Sequence, residues 1–294
     1  MKTTPTIPEL WQQVDTTALS GTIMIIGGVD VGKSTFARYL FRRLAVQHGR
    51  VAFLDGDPGQ STLGLPTTLT LQLCREGEAD FPPKGNLWRR FVGWVSPAGH
   101  MLPMVVGAAR LVEAAQQAGA QAIVWDTTGL IDPAQGGVAL KWAQIELIRP
   151  AVIFAFQRER ELEPLIGPLR RSGRVAVVEL PPSPFVQPRD FPTRQRYRSD
   201  RFAAYFRNAD LLSLRWSQWA VFPVPHFVHH QLVALEDRAG FTLGLGIVKA
   251  VDPAAREIVL LTPLRSLKGV NMLHTGDLTV DPETFQEMRL PRWM

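Results

Sequence analysis

The feature that most constrains this chain is the run Ile23 to Tyr39, IMIIGGVDVGKSTFARY. Four apolar residues, Ile23 to Ile26, stop at Gly27-Gly28. Gly27, four further residues, then Gly32, Lys33 and Ser34 fit the phosphate-loop spacing without a mismatch. Glycines let the backbone curl so that its N–H groups face a polyphosphate. Lys33 supplies a mobile cation, and the Ser34 hydroxyl can ligate Mg²⁺. Ser34 to Val46 holds no Gly or Pro and reads as a helix, whose N-terminus adds partial positive charge. The expected triphosphate contacts are Gly27, Gly28, Val29, Asp30, Val31, Gly32, Lys33, Ser34 and Thr35.

The second landmark is VAFLDGDPGQS, Val51 to Ser61. An apolar run ends in Asp55-Gly56-Asp57, and Pro58-Gly59 forces a turn. Carboxylates at i and i+2 leave the same side of an extended chain. At the C-terminal end of a parallel strand they would face the ligand crevice. Two acids there suit Mg²⁺ and a hydroxyl awaiting deprotonation. A second apolar strand, Gln121 to Trp125, runs straight into Asp126-Thr127-Thr128-Gly129. A carboxylate ending such a strand is the usual second magnesium-side element of phosphate-loop enzymes. Asp55 and Asp126 therefore compete for that task, and sequence leaves the choice open.

Between these landmarks Phe91 to Val95 reads as a strand and Met104 to Ala118 as a helix, while residues 62–90 are turn-rich and unassigned. His100 falls at the strand–helix junction. A helix Val138 to Ile148 and strands Ala151 to Phe156 and Arg174 to Leu180 follow. Strands alternating with helices from Gly21 to Leu180 predict an α/β fold with a mainly parallel sheet covered on both faces. Upstream, Pro8 to Leu19 reads as a short helical arm packed on it.

Pro188 to Phe206, PRDFPTRQRYRSDRFAAYF, is basic and aromatic, offset only by Asp190 and Asp200. If it is helical after Pro192, Arg194, Arg198 and Arg201 share one face. Such arginines can cover a transferring phosphoryl group or hold a nucleic-acid backbone. Beyond Leu211, short alternating stretches predict a small antiparallel sheet or barrel. His226, His229 and His230 have no nearby cysteine or carboxylate to complete a metal set, and read as structural or surface residues.

The expected organisation is an arm at 1–20, a phosphate-loop domain at 21–210 with an arginine-rich lid at about 185–207, and a β-rich domain at 211–294. No apolar run reaches the ~18 residues of a membrane span. The N-terminus lacks the apolar segment of a secretory signal. A single cysteine, Cys74, excludes an internal disulfide. These features point to the cytoplasm. The net charge of +5 is mild evidence for an anionic partner.

GGVDVGKST, LDGDPGQS, FVGWVSPAGH, DTTG and the arginine-rich stretch ending in AAYF, in this order, resemble the polynucleotide 5′-hydroxyl kinase family. That family includes the kinases of the pre-mRNA cleavage complex and of nucleolar ribosomal RNA processing. The resemblance covers about Gly21 to Phe206. It implies a three-layer αβα phosphate-loop fold and phosphorylation of RNA or DNA 5′-hydroxyl ends with ATP and Mg²⁺. It implies a lid of Arg194, Arg198 and Arg201, and a clamp on the nucleic-acid end at Thr128-Gly129. In this reading Lys33 spans the outer phosphates, Ser34 holds Mg²⁺ with Asp55 ordering its waters, and Asp57 takes the acceptor proton. Gln60, His100, Thr128, Gly129 and Arg201 would contact nucleic acid. Leu130 departs from the tryptophan that family members often carry after Thr-Gly. The compact layout, without the large N-terminal β domain of eukaryotic members, is closer to prokaryotic ones. Protein partners are unknown. The competing readings are a nucleotide-dependent switch or assembly factor, a small-molecule kinase, and an ATP-holding RNA-binding scaffold. The absence of an Asn-Lys-x-Asp motif argues against a GTPase.

Overall fold

The computed structural model describes residues 6–290. The outermost residues of the expected arm (1–5) and of the expected β-rich region (291–294) lie outside the described residues.

The first half of the chain builds a seven-stranded sheet. Its strands are β1 (Gly21–Gly27), β2 (Val51–Gly56), β3 (Thr68–Leu73), β4 (Leu87–Phe91), β5 (Ala122–Thr127), β6 (Val152–Phe156) and β7 (Ala176–Leu180). The order is β4-β3-β2-β5-β1-β6-β7. β2, β5, β1, β6 and β7 run parallel, while β3 and β4 add an antiparallel edge. The helices are α1 (Glu9–Gln12), α2 (Lys33–Gln47), α3 (Met101–Gln117), α4 (Gly137–Ile148), α5 (Glu163–Ser172) and α6 (Phe191–Phe206).

Alternation along β1 explains the layers. Ile23 and Ile25 face one side, where Phe36, Leu40 and Phe41 of α2 cover them. Met24 and Ile26 face the other, against Met104, Leu111, Leu140 and Ile166 of α3, α4 and α5. These side chains are almost wholly buried, each worth about 1.5–3 kcal/mol of transfer free energy. Among the described residues no helix is long and apolar enough to cross a membrane.

Two expectations need correction. The expected helical arm shortens to α1, which is four residues long. Trp11 anchors it by wedging under the phosphate loop. The expected strand from Phe91 to Val95 ends at Phe91. Gly93 adopts φ 82°, and Val92 donates its N–H to the Thr67 carbonyl at 2.8 Å, which turns the chain. The unassigned residues 62–90 hold β3, which is buried between β2 and β4, and most of β4, the sheet's half-buried outer strand.

The second half builds another seven-stranded sheet from β8 (Asp210–Arg215), β9 (Ala220–Phe222), β10 (Gln231–Glu236), β11 (Thr242–Asp252), β12 (Glu257–Thr262), β13 (Met272–Val280) and β14 (Glu287–Arg289). Apart from the parallel β9–β13 pair, it is antiparallel. Phe202 and Phe206 of α6 join Leu232, Leu245 and Leu278 in a shared core. The arginine-rich helix thus lies between the two sheets.

Candidate functional site

The strand order places the loops after β1, β2 and β5 side by side. Asp55 is the register partner of Asp126, and Asp126 that of Ile25. Both carboxylates therefore flank the phosphate loop at the C-terminal edge of the parallel strands. Gly27 has φ 152°, and a Cβ there would meet the Phe156 carbonyl oxygen at 2.6 Å. Gly32 has φ 98°, with the Trp11 ring 2.6 Å from where a Cβ would sit. Only glycine permits both the turn and these approaches.

Lys33 is buried and donates to the Gly28 carbonyl. Burial lowers its pKa, against the pull of Asp126, Asp57 and Asp30. Asp126 is 2 % exposed, and its Oδ1 has no hydrogen-bond partner. Burial, with the Asp55 charge adding to it, pushes its carboxyl up to about 7. Asp55 differs in being fully engaged. Its Oδ2 accepts from Ser61 Oγ and from the Thr62 and Leu63 amides, each at 2.7 Å. Burial raises its pKa while those bonds resist. Asp57 Oδ1 accepts the Gly59 and Gln60 amides at 2.9 Å.

Two cavities meet over this edge. One, about 340 Å³, runs along the phosphate loop from Val29 to Thr35 beneath Gln187, Arg189 and Tyr197. The other, about 800 Å³, opens beside it between Pro97, Leu130, Ile131 and the Arg158–Glu161 loop. They share Val29, Asp57, Gln60, Gly129 and Arg194.

Asp190 caps α6, accepting the Thr193 amide at 2.9 Å. This turns Arg194 toward the loop, where its Nη2 lies 2.6 Å from Asp30 Oδ2. The other two arginines expected in a lid are placed differently. Arg198 lines the larger cavity but is 6 % exposed, and its Nε bonds Glu287 Oε1 of β14 at 2.8 Å. Arg201 donates to the Leu63 and Gly64 carbonyls. His100 is 8 % exposed, bonds Asp277 Oδ2 at 3.0 Å and lines neither cavity. Thr128 and Gly129 border the larger cavity.

Sequence reasoning passed over Lys141, Arg158 and Tyr197. Lys141 is fully buried, donates to the Thr128 carbonyl at 2.9 Å, and has its pKa lowered by burial to about 7. Arg158 Nη2 reaches the Asp30 carbonyl at 2.8 Å, and Tyr197 donates to Ser61 O at 2.7 Å. No local pattern marks them, because each acts on a segment distant in the chain.

A glycine-rich turn between a buried strand and a helix, a buried lysine, and a carboxylate on the adjacent strand together define a phosphate-loop nucleotide-binding protein. Residues 27–208 match the family described as mRNA cleavage and polyadenylation factor CLP1 P-loop, and the chain belongs to that family. It is 26% identical to a polyribonucleotide 5′-hydroxyl-kinase of Pyrococcus furiosus, across 88% of this chain and 87% of that protein. It is 25% identical to one of Methanocaldococcus jannaschii, across 91% and 89%. Among solved structures, the wild-type Clp1p–Pcf11p complex aligns with TM-score 0.68 at 13% identity, covering 92% of this chain and 77% of that one. That likeness concerns the fold.

Proposed function

We propose that this protein transfers the γ-phosphoryl group of ATP to the 5′-hydroxyl of a polynucleotide, RNA in the first instance. The observation that carries the reading is the pair of cavities meeting at Asp57, Gly129 and Arg194. A switch or a scaffold has no need of a second cavity at the γ-phosphate. The naming of the archaeal relatives as polyribonucleotide 5′-hydroxyl-kinases supports the same acceptor.

ATP lies along Gly27 to Thr35, with Lys33 at the outer phosphates. The acceptor end enters the larger cavity between Thr128-Gly129 and Gln60. Asp57, held by the Gly59 and Gln60 amides, takes the proton from the 5′-hydroxyl. The bond from O5′ to Pγ forms as the bond from Pγ to the β–γ bridging oxygen breaks, and ADP leaves. Arg194 stabilises charge on the transferring group. The protein's contribution is alignment and fixed charge.

The residues present fit Mg²⁺, which when bound neutralises phosphate charge. Asp126, with its unpartnered buried oxygen, and Ser34 would hold it. Mg²⁺ commonly takes one or two protein ligands plus phosphates. Asp55, already accepting from three donors, orders the 61–63 loop instead. Residues 21–210 are read as the kinase unit and 211–294 as a β unit that braces the lid. Cytoplasmic residence is supported by the lone buried thiol of Cys74.

Labelled γ-phosphate should pass from ATP to a 5′-OH oligoribonucleotide in the presence of Mg²⁺, and Lys33→Ala should abolish it. Hydrolysis unaffected by oligonucleotide, with no labelled product, would instead identify a nucleotide switch.

A further inference from the structure

Lys141 is a charged side chain with no solvent exposure, on a helix that otherwise packs against the core. Burying an amine is costly unless its protons are used. It bonds a carbonyl, that of Thr128, rather than a carboxylate. The charges that act on it from neighbouring elements are Lys33 of α2, Asp57 of the loop after β2, and Asp126 of β5. The cost is therefore attached to holding one peptide group in place.

That peptide joins Thr128 to Gly129. In a trans peptide the carbonyl and the N–H point in opposite directions. With the carbonyl turned to Lys141, the Gly129 N–H points away from the amine, and Gly129 itself lines both cavities. Among the described residues, no acceptor takes that N–H. The segment is confined on its other sides too. Thr127 Oγ1 donates to the Ile25 carbonyl at 2.7 Å. A Cβ on Gly129 would stand 3.0 Å from the Val29 nitrogen, and one on Gly137 would stand 2.6 Å from the Ile131 carbonyl carbon. β1, the phosphate loop and the start of α4 thus grip residues 127–131, and Lys141 sets the rotation of the one peptide at the centre.

We propose that Lys141 is a positioning residue that aims the Gly129 N–H at a phosphate oxygen between donor and acceptor, and so fixes the wall separating the two cavities. The proposal rests on the kinase reading above. It requires only that the amine donate a proton to the carbonyl, which both of its charge states can do. A wall that shifts by an ångström misaligns the 5′-hydroxyl while leaving the triphosphate on its loop, and such displacements can cost ~10²-fold in rate.

The test compares wild type with Lys141→Met, which keeps length without a donor, and Lys141→Gln, which keeps a donor. Steady-state transfer to a 5′-OH oligoribonucleotide, ATP binding by titration, and ATP hydrolysed per phosphate transferred are measured. Lys141→Met should lose about tenfold or more in kcat/KM for the oligonucleotide, with ATP affinity within about threefold of wild type. Its hydrolysis per transfer should rise, and Lys141→Gln should recover part of the loss. Transfer by Lys141→Met within twofold of wild type overturns the proposal, as does an ATP affinity that falls in step with transfer. Should Lys141→Met fail to fold in a melting curve, Lys141→Leu, likewise without a donor, takes its place. A loss confined to the acceptor supports the proposal, and wild-type behaviour or an equal loss for ATP overturns it. If wild type itself transfers nothing, the kinase reading fails, a result distinct from either outcome.

Discussion

Arg194 Nη2 lies 2.6 Å from Asp30 Oδ2, so α6 and the phosphate loop meet through one carboxylate. The pair is partly shielded, the Asp30 side chain being 9% and the Arg194 side chain 24% exposed. Asp30 sits at φ 51°, a conformation that asparagine tolerates well. Arg194→Ala should lower kcat by about 10²-fold or more, since an arginine on the transferring group can be worth ~10³. Asp30→Asn keeps the arginine but frees it, and should cost about tenfold or less. Single-turnover transfer on the two variants and their double mutant checks this. Equal losses in both single variants would show that the arginine acts only through Asp30.

Arg198 is the contrasting case. With Glu287 it forms a buried ion pair between α6 and β14. Glu287→Ala leaves a buried guanidinium without its carboxylate and should destabilise the fold by about 3–5 kcal/mol. Arg198→Met combined with Glu287→Leu should regain most of that, because well-packed apolar replacements of buried pairs are often neutral. Urea unfolding of the three proteins reads it directly. Transfer per folded molecule should fall less in the double variant than in Arg194→Ala.

Asp55 and Asp57 should separate cleanly. Asp57→Asn keeps a carbonyl for the Gly59 and Gln60 amides, so stability should hold. Transfer should fall about 10²–10⁴-fold, the usual worth of a general base. Asp55→Ala leaves Ser61 Oγ and the Thr62 and Leu63 amides without the acceptor they share. It should cost about 1–3 kcal/mol of stability. Melting curves beside transfer rates distinguish the two.

The phosphate loop, the two acidic landmarks and the alternation of strands with helices were legible because each is a short local pattern. Asp126 stood out for the same reason, although its unpartnered oxygen and the prior engagement of Asp55 depend on neighbouring loops. Arg198 looked like a lid residue because its partner, Glu287, lies 89 positions away. His100 looked available because its partner, Asp277, lies 177 positions away. A lone lysine in an apolar helix reads as a solvated residue, so Lys141 gave no warning. β3, TLTLQL, alternates polar and apolar residues but was passed over amid flanking glycines and prolines, while β4 carries Arg89 and Arg90 in its middle and shows no apolar period.

Lys141 also makes a pH prediction. An unfolded lysine titrates near 10.5, the folded one near 7. Between those values the unfolded chain binds the extra proton, so this group's contribution to stability rises with pH and levels off above about 10.5. Below about 7 both states are protonated and the full cost of burying the charge is present. Lys141→Met lacks the effect. Its melting temperature relative to wild type should therefore be most favourable near pH 6.5 and should decline steadily toward pH 9.5. The comparison is made without nucleotide and with EDTA, so that Lys33, Asp57 and Asp126 are the charges facing the site.

The Arg198–Glu287 tie, with Phe202 and Phe206 sunk into the shared core, has a mechanical consequence. The C-terminal portion of α6 is bolted to the second sheet and cannot swing. On the kinase reading, opening is then confined to the N-terminal end, Phe191 to Arg196, which the Arg194–Asp30 pair holds to the phosphate loop, as a lever bends ahead of its fulcrum. The β sheet far from the chemistry would thereby set how widely the cover can lift, and substitutions at Glu287 should be felt as a change in the rate at which ADP escapes.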